Sequence, residues 1–456
     1  MSFPDVLRGR SLRPALWGNR VRNFLLPFRH SRERLVSLIF GLLFFSGFGV
    51  MVYQRYLNET VAIPQAGGQY VEGVVGNRAQ LTEIITQLTS AGLVSITSNQ
   101  KVMPVLARNW AISLDGKTYT FELQDGVEGA EVAKAIQENE LFKTITVQAV
   151  DPRTVVFRLK QPFGPFLSLL SLPLFPYGPY TIGEEEGNEI KFEANPTFPA
   201  GRAFLDRITI RVFPDESSLQ QAVARKEVTG TVSSQPIRGW QHFEATLPRT
   251  IEVIFNVDRP ALQEQETRSK ILRGESLPEK VSLTIITTPQ LKSFGDDLVG
   301  RWKGQNIEAS LELIDDAKLK QDVLPKRDYD VLVYGVDEGV EPDPFRFWHS
   351  SQATETGLNL AQLKDQGLDG MLEAARLIVN DAERFGKYQE IEQKVNDLAV
   401  RIVLKRMTIS FQVSSKIKGV EEPLMVNPAS RYNLVWKWYT NERRVRKTED
   451  GGQKTD

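Results

Sequence analysis

Few residues in this sequence have the types and spacings that catalysis or metal binding needs. The 456 residues include no Cys, which excludes disulfides, thiolate metal sites and Cys nucleophiles. Three His residues, His30, His242 and His349, lie far apart and form no H-x-x-x-H pair. The G-x-S-x-G motif of serine hydrolases is also missing from the sequence. We therefore expect a protein that is not an enzyme and that holds no metal and no cofactor.

The densest group of side chains that could contact a ligand is an acidic loop directly after a predicted buried strand at 329–335. Its members are Asp337, Glu338, Glu341 and Asp343. In α/β sheets ligands bind beyond the carboxyl ends of strands, so this loop could contact a ligand ammonium group. A solvated loop without a role is the alternative, and the spacing does not fit a Ca²⁺ loop. The nearby Trp348 is either an aromatic wall of a pocket or a core residue under the loop.

The elements that would position this loop belong to an α/β domain. Two β-hairpins are predicted around Asp115-Gly116 and Asp151-Pro152-Arg153. From Ile251 onwards strands alternate with helices, which predicts a parallel crossover unit. The predicted elements are strands at 251–257, 281–288, 308–315 and 402–413, a helix at 295–305, and amphipathic helices at 367–379 and after a cap-like Asp381.

Residues 35–52 form an apolar run, LVSLIFGLLFFSGFGVMV, that contains no charged residue. At about 1.5 Å per residue this run roughly covers the hydrocarbon core of a bilayer, which is about 30 Å thick. The first 34 residues hold eight Arg against Asp5 and Glu33, a net charge of +6, and the positive-inside rule keeps such a flank in the cytoplasm. We expect a single-pass anchor in the cell membrane, with the large C-terminal part on the extracytoplasmic face. A cleaved signal peptide is the alternative.

Several stretches resemble, in the right order, the extracytoplasmic solute-binding proteins of peptide-type ABC transporters, the bacterial solute-binding protein family 5. The most specific stretch is VMPVLARNWAISLDGKTYTFELQDGV (102–127), which is similar to the family signature around L-A-x-x-W and D-G-k-x-Y-t-F. VDPRTVVFRLKQPFGPFLSLL (150–170) and FLDRITIRVFPDESSLQQAVARKEV (204–228) follow, and DPFRFWHS (343–350) comes later. The resemblance runs from about Gly67 to Lys437.

This resemblance implies a two-lobed, periplasmic-binding-protein-like (type II) α/β fold with a discontinuous first lobe, preceded by one transmembrane helix. Lobe crossings are expected near 245–252 and 416–424. The predicted organisation is a basic cytoplasmic N-terminus (1–34), a transmembrane helix (35–53), a connector (54–66), lobe I (67–250 plus 420–440, with a subdomain at about 81–174), lobe II (251–419) and a disordered charged tail (441–456).

The resemblance also implies where a ligand binds. In the family an extended peptide pairs with an exposed strand, which here would be Val331 to Val336. In peptide binders an Asp four residues after the Gly of G-W-x-x-D holds the α-amino group; counted from Gly335 that position is Gly339, and Val336 replaces the Trp. The predicted ligand contacts are Gly335, Val336, Asp337, Glu338, Glu341, Asp343 and Trp348.

The function that follows is capture of a peptide or similar small solute between two lobes and its delivery to the permease subunits of an ABC transporter. The partners expected are that solute, the permease and, through the N-terminal helix, the membrane; the protein is expected to be a monomer. Nucleic acid is not an expected partner, because the net charge of −1 leaves no basic field. A surface binding or scaffold module on the same fold, without a transport role, is the alternative.

Overall fold

The computed structural model describes residues 31–97, 101–341, 343–422 and 424–447. The chain divides into two units: one contains the first helix and the final strand, and the other runs from Pro64 to Asn441. The strands are β1 Thr60–Gln65, β2 Gln69–Val75, β3 Val94–Ile96, β4 Val102–Pro104, β5 Ala107–Ile112, β6 Thr118–Leu123, β7 Thr146–Asp151, β8 Thr154–Arg158, β9 Tyr180–Glu186, β10 Glu189–Ala194, β11 Arg207–Phe213, β12 Gly230–Val232, β13 Trp240–Phe255, β14 Val281–Thr287, β15 Ile307–Leu313, β16 Val331–Asp337, β17 Arg401–Ser414 and β18 Asn441–Arg446. The helices of eight or more residues are α1 Ser31–Glu59, α2 Thr82–Thr89, α3 Gly129–Glu138, α4 Glu216–Ala224, α5 Gln265–Arg273, α6 Lys292–Trp302, α7 Gln366–Leu377 and α8 Asp381–Asp397.

The smaller unit consists of α1 and a two-stranded sheet of β1 and β18. Among the described residues one helical stretch, Leu38–Glu59 in α1, is long and apolar enough to cross a membrane, and none of it is buried in the protein. The predicted basic N-terminus lies, up to residue 30, outside the described residues.

Secondary structure in this unit extends beyond two of the predicted boundaries. The helix continues past residue 53 to Glu59, because the sequence there contains no Gly or Pro and Arg55 pairs with Glu59 over 2.7 Å at i, i+4 spacing. The start of the predicted disordered tail, residues 441–446, is strand β18, because pairing with β1 satisfies its backbone hydrogen bonds. The rest of that tail, from residue 448, lies outside the described residues.

A ten-stranded mixed sheet forms the centre of the larger unit, in the order β15-β14-β16-β13-β17-β12-β2-β11-β10-β9. The long strands β13 and β17 pair antiparallel at its middle. Strands β14 and β15 are parallel and are joined through α6, which confirms the predicted crossover unit. The strand predicted at 251–257 is only the end of β13, which begins already at Trp240.

A separate four-stranded antiparallel sheet has the order β5-β6-β8-β7 and confirms both predicted hairpins. At the first turn the Asp115 carboxylate accepts from the Lys117 N–H over 3.1 Å, and Gly116 has a φ of 66°, a left-handed conformation that favours Gly. One face of the sheet is buried against α3, with Phe121, Phe157 and Phe166 packed edge to face.

The two predicted amphipathic helices are α7 and α8. Leu368, Leu372 and Ala375 of α7 are buried, and so are Tyr388, Ile391 and Val395 of α8, as their spacing predicted. The cap of α8 is Asn380 instead of Asp381: its side chain accepts from the Glu383 N–H over 3.0 Å. Both helices share a hydrophobic core with Ile254 of β13 and Leu332 of β16.

The ten-stranded sheet contains strands from both predicted lobes. The first predicted crossing, 245–252, falls where the pairing of β13 with β17 shifts register between Thr246 and Thr250. The second, 416–424, follows the end of β17. The lobe and subdomain boundaries themselves stay a prediction.

Candidate ligand site at the end of strand β16

A cavity of about 600 Å³ lies against the end of β16. Its walls come from β13, β16, β17, α8, the short helix Phe345–Trp348 and the loop at 358–361. Five of the seven predicted ligand contacts line it: Gly335, Val336, Asp337, Glu338 and Trp348. These five residues therefore share one cavity wall, whereas Glu341 and Asp343 are not among the described residues that line this cavity.

The edge of β16 that faces β14 is only partly occupied. Strand β14 pairs with β16 at Val331 and Leu332 and then ends at Thr287. The Thr287 hydroxyl donates to the carbonyl of Val333 over 2.8 Å, so the backbone of Val333 points towards β14.

Gly335 continues this edge beyond the end of β14. Because backbone groups alternate in direction along a strand, Gly335 presents its N–H and C=O to the same side as Val333. Gly335 is exposed, and among the described residues no atom lies within 4 Å of a Cβ built on it. Among the described residues no strand pairs with this edge of β16 beyond Leu332, so an extended chain can pair with it.

Glu338 is the carboxylate in this cavity that lacks a partner. It is half-buried, and its backbone N–H donates to the Pro248 carbonyl over 2.8 Å. In the part of the chain that the structure describes, no side chain donates a hydrogen bond to its carboxylate. Burial, together with the negative charge of Glu252, raises the pKa of Glu338 above that of an ordinary Glu. The charges of Arg401 and Arg406 oppose this shift in part, and an ammonium group placed here would oppose it further.

Asp337, next to Glu338, already has a cation. The Arg249 Nε donates to its carboxylate over 2.8 Å, across the β13–β16 ladder. Its other oxygen accepts from the Gly339 N–H over 3.0 Å, which forms the turn after the strand. Asp337 therefore lines the cavity with its charge balanced.

An ion-pair network centred on the buried Arg401 and Glu252 forms another wall of the cavity, and it was not predicted from the sequence. Arg401 donates to Glu252 over 2.6 Å and to Glu392 over 2.5 Å. Burial raises the pKa of Glu252, although the charge of Arg401 opposes this. The signal was present in IEVIFNV (251–257), because a Glu inside an apolar strand is rarely buried without a partner.

Trp348 is both a core residue and part of the cavity wall, the two alternatives that the sequence left open. It is only 6% exposed and packs in the core under α7 and α8, yet it also lines the cavity. The guanidinium of Arg401 lies 5.3 Å from its ring, which connects the aromatic wall to the ion-pair network. The Nε of Arg401 is buried and has no hydrogen-bond partner among the described residues.

Glu341 and Asp343 contact partners outside this cavity. Glu341 is buried; it accepts from the Ser168 hydroxyl over 2.7 Å and from the Arg384 Nε over 2.8 Å. Asp343 is buried 3.0 Å from the Arg376 Nε, and this burial raises its pKa even though Arg376 opposes the shift. Both carboxylates already hold an arginine, so Glu338 is the best candidate of the four for a ligand cation.

The sequence and fold of the chain can be compared with known proteins. Residues 134–268 match the model of the family described as "Bacterial extracellular solute-binding proteins, family 5 Middle". The glutathione-binding protein GsiB of Shigella flexneri is 29% identical over 138 residues, which cover 26% of this chain and 27% of GsiB. GsiB of Escherichia coli strain K12 is 28% identical over 131 residues, 25% of this chain and 26% of that protein. The match therefore spans about a quarter of the length of these curated relatives.

Solved structures match over far more of the chain. The ABC transporter substrate-binding protein CtaP from Listeria monocytogenes has a TM-score of 0.66 at 19% identity, covering 83% of this chain and 100% of CtaP. The oligopeptide-binding protein AppA from Bacillus subtilis, solved with a nonapeptide, has a TM-score of 0.60 at 16% identity and covers 83% and 99%. NikA from Brucella suis, solved with Fe(III)-EDTA, has a TM-score of 0.64 at 16% identity and covers 80% and 99%.

These matches confirm the predicted fold class: the chain has the mixed α/β fold of two-lobed periplasmic binding proteins, preceded by one apolar helix. They also confirm the predicted resemblance to the family 5 solute-binding proteins of ABC transporters.

Proposed function

We propose that the protein is a membrane-anchored extracytoplasmic solute-binding protein, which captures a peptide or similar small solute between two lobes and delivers it to an ABC permease. The observation that carries the proposed solute binding is the open edge of β16 at Gly335, next to a cavity of about 600 Å³ that is lined by residues of predicted lobe II. The proposed anchor is the apolar helix, and the basic flank of residues 1–34 supports a cytoplasmic N-terminus.

The chemistry of the site favours a solute that has both an amine and hydrogen-bond acceptors. Gly335 offers its backbone N–H and C=O to an extended chain, the mode called β-augmentation. Glu338 offers an unpaired carboxylate to an ammonium group. A peptide carries groups complementary to both, and the aromatic walls suit an apolar side chain.

The test is to identify what the protein carries. The full chain is purified in detergent, denatured, and the small molecules that it releases are identified by mass spectrometry. We expect a peptide or another amine-containing solute, which then rebinds with one-to-one stoichiometry in calorimetry. Release of no such compound, together with no heat from a mixed peptide library, would contradict the proposal.

A second candidate function is a binding or scaffold module without a transport role. Residues from the two predicted lobes contact each other directly: Ser168 donates to Glu341, and the Gly164 N–H donates to the Arg376 carbonyl over 2.9 Å. One cavity among the described residues includes residues of both predicted lobes, Ser171 and Val340 among them, and measures about 40 Å³. Genes for a permease and an ATPase next to the gene for this protein would argue against the scaffold function.

A further inference from the structure

The C-terminal strand β18 is attached to the end of the apolar helix α1. The Lys447 N–H donates to the Glu59 carbonyl over 2.8 Å. The Arg444 guanidinium donates to the Thr60 hydroxyl over 2.9 Å and to the Leu57 carbonyl over 3.2 Å. These bonds satisfy carbonyls that a helix end leaves without an internal partner. Arg444 also lies 5.8 Å from the centre of the Tyr56 ring.

The same strand end carries exposed cations. We call Arg443, Arg446 and Lys447 the basic strand end; all three are exposed, whereas Arg444 is half-buried. Among the described residues of this part of the unit, the acidic ones are Glu59, which pairs with Arg55, and Glu442. The described basic residues are Arg55, Arg443, Arg444, Arg446 and Lys447, which leaves a net charge of +3 for the described residues; Glu449 and Asp450 follow in the sequence outside them.

The position of these cations follows from the length of the apolar helix. The stretch Leu38–Glu59 has 22 residues. At about 1.5 Å per residue, the apolar run of residues 35–52 within α1 roughly covers a hydrocarbon core of about 30 Å, so Glu59 lies about 10 Å beyond the end of that core. Tyr53 and Tyr56 fall where interfacial aromatic residues are enriched. The basic strand end, held at Glu59, therefore lies close to the outer boundary of the lipid headgroups, where its long side chains can reach them.

We propose that the basic strand end binds the anionic phospholipid headgroups of the membrane that α1 crosses. Charge complementarity selects this partner, because three exposed cations near a bilayer surface attract anionic lipid over zwitterionic lipid. The inference rests on the membrane anchor of the proposed function. It does not depend on which solute the cavity binds.

The experiment measures lipid preference on the full chain. The protein in detergent is mixed with equal amounts of short-chain phosphatidylglycerol and phosphatidylcholine, and bound lipids are counted by native mass spectrometry. Wild type should retain mainly phosphatidylglycerol, and the preference should weaken as ammonium acetate screens the charges. A basic residue near an anionic surface contributes about fivefold in affinity. The triple variant Arg443→Gln, Arg446→Gln, Lys447→Gln should therefore lose up to about a hundredfold of phosphatidylglycerol affinity.

A matched control removes the same number of charges elsewhere. Arg301→Gln, Lys303→Gln, Lys326→Gln changes three exposed basic residues of the larger unit and should leave lipid retention unchanged. Equal retention of the two lipids by wild type would overturn the inference. So would wild-type retention in the strand variant, or displacement of the lipid by free glycerol phosphate at similar concentration.

Solute calorimetry on the same variants separates this inference from the proposed function. The strand variant should bind the solute as wild type does, which also establishes that it folds. Anionic lipid preference without any solute binding would contradict only the proposed capture of solute. If the strand variant does not fold, the single variant Lys447→Gln should show the smaller, about fivefold loss of phosphatidylglycerol affinity, and no loss would overturn the inference.

Discussion

Glu338 is the residue on which recognition of an amine depends. If its carboxylate holds a ligand ammonium, the charge-assisted hydrogen bond contributes about 1.5–3 kcal/mol. Glu338→Gln should then weaken binding of the co-purified solute about ten- to a hundredfold in calorimetry, since each 1.4 kcal/mol is about one decade. Glu355→Gln, at an exposed Glu in another loop, is the matched control and should bind as wild type does. Equal affinity in both variants would exclude Glu338 as the ammonium site.

The Glu338 carboxylate should destabilise the ligand-free protein at neutral pH. The pKa of Glu338 is raised in the folded protein, so the fold favours the protonated form. Its stabilising contribution is present at low pH and is lost as the pH rises through the raised pKa. Glu338→Gln should therefore raise the melting temperature of the ligand-free full chain at neutral pH, and the difference should shrink in acid. If Glu338→Gln melts below wild type at neutral pH, the Glu338 carboxylate stabilises the fold, which would contradict its being unpaired.

The sequence could identify the acidic loop but could not rank its four carboxylates. Their arginine partners lie far away along the chain: Arg249 is 88 positions before Asp337, and Arg384 is 43 positions after Glu341. Only the folded sheet and α8 bring those pairs together. For the same reason Arg401 was not recognised as a cavity residue, because its partner Glu252 is 149 positions away.

Strand β16 can be tested through its backbone. Gly335→Pro removes the N–H that faces the open edge, without removing a bond of the β13 ladder on the other side. A lost main-chain hydrogen bond costs about 0.5–1.5 kcal/mol, so solute affinity should fall about two- to tenfold. Gly335→Ala keeps the N–H, meets no atom within 4 Å and should bind nearly as wild type does. Circular dichroism establishes that both variants fold, and equal affinities would contradict backbone pairing at Gly335.

Helix α8 contributes a buried ion pair whose loss should be costly. The side chains of Arg384 and Glu341 are 1% and 4% exposed. Arg384→Met leaves Glu341 as an uncompensated buried charge and should lower the free energy of unfolding by about 3–5 kcal/mol in urea titrations. Ser168→Ala, which removes only one hydrogen bond to Glu341, should cost about 1 kcal/mol. Similar losses in the two variants would show that the ion pair contributes no more to the free energy of unfolding than the hydrogen bond from Ser168.

Elements with a strong local pattern were predictable, and elements defined by long-range pairing were not. The hairpin at Asp115-Gly116 and the helices α7 and α8 follow from turn residues and from apolar spacing. Strand β18 could not be expected from NERRVR, because its polar sequence contains a single apolar residue. It forms a strand through its pairing with β1, more than 370 positions earlier in the chain.

At the scale of the whole molecule, the two-lobed fold was predictable because many short stretches resemble one family in the right order. Resemblance transfers a fold more reliably than it transfers a site. Here the position that would match the amino-group Asp is Gly339, whereas the unpaired carboxylate is Glu338, one position earlier. The proposed solute class therefore rests on the geometry of this cavity and not on the family motif.

The most direct measurement is hydrogen–deuterium exchange of the full chain with and without its co-purified solute. Solute paired with the open edge of β16 should slow exchange of the Gly335 amide and its neighbours. Exchange in β10, on the other side of the ten-stranded sheet, should stay unchanged. Protection confined to another region, with residues 334–338 exchanging equally fast in both samples, would contradict a ligand site at the end of β16.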